Sequence, residues 1–85
     1  MAELCRFAGI IITINPRDHN PPHFHARYAE HETWIEISNL QVGGEEYFPL
    51  SQLHVLLDWA MVHQDELMAA WNAVRAGKKP EKILP

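Results

Sequence analysis

His23-Phe24-His25-Ala26-Arg27-Tyr28-Ala29, followed by Thr33-Trp34-Ile35-Glu36-Ile37-Ser38, is the stretch that decides the fold. Alternation of apolar and polar residues with period two is the pattern of an extended strand with one buried face. Phe24, Ala26 and Tyr28 share one face of the first segment; His23, His25 and Arg27 share the other. The second segment places Ile35 and Ile37 opposite Trp34 and Glu36. The short link Glu30-His31-Glu32 predicts an antiparallel hairpin of strands over 23–29 and 33–38.

Working outward, residues 6–14 are rich in β-branched and apolar side chains and stop at Asn15-Pro16. They read as one strand, buried on both faces over Ile10–Ile12. Asn15 to Pro22 is a loop, because its prolines fix φ and remove backbone donors. A weaker strand is expected over 40–48, with Gly43-Gly44 as a turn and a return at Glu46–Phe48.

After Pro49 the apolar period changes to three and four: Leu50, Leu53, Leu57, Ala60, Leu67, Trp71 and Val74. One bent helix or two helices over 50–62 and 64–76 fit this spacing, with a break near His63. Ser51 is placed to cap the first turn. Asp65 and Glu66 suit a helix N-terminus, and Gly77 and Pro80 end the pattern. The expected fold is α+β: an antiparallel sheet of three to four strands, with C-terminal helices packed on one face. One domain spans 1–85, closing on a solvated tail over 77–85 that holds Lys78, Lys79 and Lys82.

Composition narrows the classes of function. The chain is 47% hydrophobic and 21% charged, as a folded domain should be. No run approaches the roughly 20 apolar residues of a membrane span, and no secretory signal is visible. The single cysteine, Cys5, excludes an internal disulfide and suits the cytoplasm. A net charge of −4 speaks against DNA binding through a basic surface, and no helix-turn-helix is evident. Small size and open strand edges are compatible with a homodimer.

The chemistry gathers in one place. Four of the six histidines, His19, His23, His25 and His31, fall within thirteen residues, with Asp18 adjacent. Alternate residues on a strand project to the same side, about 7 Å apart at Cα, so His23 and His25 can converge on one ion. Asp18, His19 or His31 is available as a third ligand. Imidazole with carboxylate suits divalent Zn, Ni, Mn or Fe. A metal-free use of the same groups is an imidazole acid–base pair, His23 and His25, with Arg27 and Arg17 stabilising a phosphorane during RNA cleavage. The bland reading makes the histidines surface hydrogen-bonders that shape a proline corner. Under it, Trp34 on the histidine face serves as a partner surface.

The string Asp18-His19-Asn20-Pro21-Pro22-His23-Phe24-His25 resembles a bacterial family recorded as domain of unknown function 4160. The likeness extends through Arg6-Phe7, Gly9-Ile10, Ile35-Glu36-Ile37, Leu56 to Ala60, His63 to Leu67, Trp71 and Ala76-Gly77-Lys78. The resemblance implies a toxin–antitoxin-type component encoded beside a small cognate partner protein, or a regulator of transcription. It implies no established catalytic residue. Action on RNA or through a divalent metal, and a non-catalytic interaction module, both remain open at this point.

Overall fold

Two tight reversals build most of the sheet. In the computed structural model, which describes residues 2–44 and 47–85, β1 (Ala2–Phe7) turns through Ala8 and Gly9 into β2 (Ile10–Ile14). Both turn residues take positive φ, 50° and 77°, the condition for a two-residue hairpin loop whose twist matches its strands. β3 (His23–Tyr28) and β4 (His31–Glu36) are joined by Ala29 and Glu30, with Tyr28 opposite His31. β5 is only Val42–Gly43. All neighbours are antiparallel, in the order β1-β2-β3-β4-β5.

Five strands therefore replace the expected three to four. The run over 6–14 is not one strand: Ala8 and Gly9 split it, and pairing begins as early as Ala2. Nor is Ile10–Ile12 buried on both faces, since Ile10, Ile12 and Ile14 are buried while Ile11 and Thr13 are only partly so. In β1 a bulge at Leu4 lets Leu4 and Cys5 both reach the core. The same bulge puts Glu3 and Arg6 on the opposite face together, where the guanidinium donates two 2.8 Å hydrogen bonds to the carboxylate. The strand expected over 40–48 shrinks to β5; Glu46 lies outside the described residues, and Tyr47 and Phe48 are irregular.

One face of the sheet carries Cys5, Ile10, Ile12, Ile14, Phe24, Ala26 and Ile35, all buried. Helices α1 (Leu50–Val62) and α2 (Gln64–Arg75) cover it through Leu56, Trp59, Ala60, Leu67, Ala70, Trp71 and Val74. They are two helices, broken at His63. Pro49 occupies the N-cap of α1 without a side-chain bond, so Ser51 does not cap it. At the C-terminus of α2, Gly77 (φ 74°) donates to the Val74 carbonyl and Lys78 to that of Ala73, which satisfies two carbonyls the helix leaves free. The tail is not wholly solvated: Lys78, Lys79 and Lys82 are exposed, but Ile83 is buried and its N–H reaches the Leu4 carbonyl. Among the described residues, no helix is long and apolar enough to cross a membrane.

Candidate metal centre

The other sheet face is met by α2 at its margin, through Trp71 and Arg75. Register fixes its members: Glu3 and Arg6 from β1, Ile11 and Thr13 from β2, His23, His25 and Arg27 from β3, and Glu32, Trp34 and Glu36 from β4. His23 and His25 leave this face side by side, with ring centroids 5.2 Å apart.

The proline loop brings them a carboxylate. Asn15 begins it with a turn, its side chain accepting from the Arg17 N–H and its carbonyl from the Asp18 N–H. The loop ends through a cis Asn20–Pro21 bond, and the Pro22 carbonyl accepts from the Ile37 N–H. Pinned at both ends, it points Asp18 at the imidazoles. Asp18 Oδ2 lies 2.7 Å from His25 Nε2 and 3.3 Å from His23 Nε2. The three side chains retain only 19%, 23% and 13% of their exposure, so the site is sheltered but reached by water.

The hydrogen bonds assign the nitrogens. His23 Nδ1 sits 2.8 Å from the Pro21 carbonyl, an oxygen that can only accept, so Nδ1 carries the proton. In a neutral ring, Nε2 is then a bare lone pair, and it faces a carboxylate oxygen that is also an acceptor. Such a pair attracts only if a cation joins it, either a proton or a metal. Fixing the far nitrogen on a backbone carbonyl is how proteins orient a metal-binding imidazole. Among the described residues, Asp18, His23 and His25 form a group whose ligand atoms all lie within 4.8 Å of one another. Two ligands bound at about 2.0–2.1 Å to one ion sit roughly 3.0–3.4 Å apart. The 3.3 Å separation lies in that range, and the 2.7 Å contact needs to open by about half an ångström.

Not every candidate joins. His19 is exposed and outside the converging group. His31 is excluded by geometry. It opposes Tyr28 and so lies on the core side of the sheet, five residues from Glu36, the partner of His23; that is about 17 Å along the strand. Among the described residues, its carboxylate contact is with Glu30, at 3.6 Å. Arg27 shares the face but lines a separate shallow cavity with Glu3, Arg6, Ile11, Thr13 and Glu32. Arg17 is exposed in the turn. Cys5 offers no nucleophile, because burial pushes its thiol pKa up.

Two residues join the site unforeseen, Trp71 and Arg75, beside Trp34, which lies on the histidine face as its parity predicts. Trp71 of α2 packs against the His23 ring (centroids 5.4 Å), and Trp34 closes its other side (5.2 Å). Trp34 is therefore half-buried rather than a bare partner surface. It lies flat over Gly43, where a Cβ would come within 2.1–2.4 Å of its ring. Arg75 donates from Nη1 to the Asp18 carbonyl at 2.8 Å while its guanidinium rests 5.5 Å from the Trp71 ring. Trp71 and Arg75 are four apart on one helix, a spacing that gives a shared face and was the available signal.

The family model described as domain of unknown function DUF4160 matches residues 9–72, about three quarters of the chain. The chain belongs to the DUF4160 family. No curated protein and no solved structure matches it significantly. The DUF4160 match contains Asp18, His23, His25, Trp34 and Trp71, and ends short of Arg75.

Proposed function

We propose that this domain binds one divalent transition metal ion through Asp18, His23 and His25 and acts through it as a cytoplasmic toxin–antitoxin-type component. The observation that carries the reading is the pair of facing acceptors, His23 Nε2 and Asp18 Oδ2, with His23 Nδ1 committed to the Pro21 carbonyl. Two imidazoles and one carboxylate leave further coordination positions to water or substrate, the arrangement of a catalytic rather than a structural ion. Held by Asp18, His23 and His25, such an ion would supply Lewis acidity and would activate a water. Zn, Ni, Mn and Fe all suit the ligand set.

Metal content tests the proposal directly. Protein made without a histidine tag is expected to hold close to one equivalent after dialysis against a metal mixture. The His23→Ala/His25→Ala double variant is expected to hold almost none. Equal and negligible metal in both discards the proposal.

A second reading, a non-catalytic module for the small cognate partner, has one observation in its favour. Helix α1 leaves Leu50, Val55, Met61 and Val62 exposed along its solvent side, and exposed apolar side chains favour a partner. Loss of co-purification with the neighbouring gene product on Val62→Glu, with metal content unchanged, supports this reading. Retention of the partner removes it.

A further inference from the structure

The metal centre and the Arg27 cavity are neighbours on one surface. Thr13 belongs to both: it opposes His25 in the sheet and lines the cavity beside Arg27. From His25 to Arg27 is one strand repeat of two residues, about 7 Å. Among the described residues, the Arg27 guanidinium makes no hydrogen bond or ion pair. Glu32 stands opposite it without reaching it, and Glu3 is held by both nitrogens of Arg6. An exposed guanidinium without an acceptor, beside a centre with open coordination positions, lacks only an oxyanion.

Resting on the metal reading above, we infer that the site takes a small phosphorylated molecule, its phosphoryl group shared between the bound ion and the Arg27 fork. A guanidinium matches phosphoryl oxygens in bidentate geometry, and a tetrahedral group has oxygens left for the ion and the Thr13 hydroxyl. The cavity holds about 290 Å³, at the lower end for small-molecule sites. A long polyanion fits this face poorly. Glu3, Glu32 and Glu36 lie on it together with only Arg6 and Arg27, and strand-like nucleic acid needs a continuous basic track.

Phenyl phosphate is the probe, titrated by calorimetry into Zn-loaded protein, with zinc content measured on the same samples. Arg27→Gln is expected to keep its zinc and bind phenyl phosphate about tenfold more weakly. Arg27→Lys, which keeps the charge without the fork, is expected to recover only part of the loss. Arg27 is exposed, so neither change threatens the fold. Full zinc with equal phenyl phosphate affinity in wild type and Arg27→Gln overturns the inference and leaves the metal centre standing. Tighter, steeply salt-dependent binding of a ten-nucleotide single-stranded RNA overturns it in favour of nucleic acid. Zinc absent from the wild type shows instead that the metal reading has failed, and the inference falls with it.

Discussion

The two ends of the β3–β4 hairpin carry nearly the same chemistry and put it to different use. At one end His23 and His25 meet Asp18; at the other His31 meets Glu30. Each end also has an aromatic against a histidine, Trp71 on His23 and Tyr47 on His31. The difference lies in what holds the carboxylate. Asp18 arrives on a loop pinned to Asn15, Ile37 and Arg75 and keeps 19% of its exposure, whereas Glu30 sits in a two-residue turn with 82%. Histidines close in sequence form a site only where strand parity gives them one face and tertiary anchors bring the third group.

Truncating the aromatic at each end breaks the comparison most sharply. Trp71 is 3% exposed and Tyr47 is 70% exposed. Trp71→Ala is expected to destabilise the domain by about 3–5 kcal/mol in urea unfolding, through the cavity it leaves beside the core and His23. Tyr47→Ala is expected to change stability by less than about 0.5 kcal/mol, as an ordinary surface substitution does. Equal losses at the two ends would show that Trp71 is not an anchor.

Next come the carboxylates themselves. Asp18→Ala is expected to weaken metal binding by more than the roughly 10–100-fold that loss of an outer partner causes. Glu30→Ala is expected to leave affinity unchanged in the same calorimetric titration. A metal that tolerates the loss of Asp18 and not of Glu30 would move the site to the other end.

Arg75 sharpens the comparison further, because it reaches Asp18 through the backbone carbonyl and not through the carboxylate. Arg75→Ala is expected to lower metal affinity about tenfold, in the range measured for outer-shell partners, with little change in unfolding. Arg75→Lys should restore part of it. A matching loss of stability without any change in affinity would make Arg75 a structural clamp alone.

How much of this was written in the chain follows from the same particulars. The alternation over 23–29 and 33–38 gave the correct faces, although the strands run 23–28 and 31–36. The three-and-four spacing after Pro49 gave the helical region with a break near His63 but left one bent helix or two open. Asp18 beside a proline loop was legible as one of three candidates, with His19 and His31, for the group that meets His23 and His25. The first hairpin was not, because Ala8 takes a positive φ normally reserved for Gly, Asn or Asp, and the Leu4 bulge breaks alternation in β1. His31 was misjudged although its parity was readable: it is in phase with Thr33, Ile35 and Ile37, all buried, and out of phase with Trp34. The Arg75 contact to Asp18 spans 57 positions and joins elements no local pattern links.

The smallest effect is expected at His31, and it isolates parity from proximity. His31 is eight residues from His23, and its imidazole is chemically the same ligand. Its side chain is 28% exposed and its only described carboxylate contact, to Glu30 at 3.6 Å, is a surface pair of the kind worth little. His31→Ala is therefore expected to shift stability by less than about 0.5 kcal/mol and to leave metal stoichiometry at that of the wild type. His25→Ala, on the opposite face and only six residues earlier, removes a proposed ligand and should abolish stoichiometric binding. If the His31 change also stripped the metal, the ion would be reaching around the strand to the core side. The register of Tyr28 with His31 makes that impossible without re-pairing the hairpin.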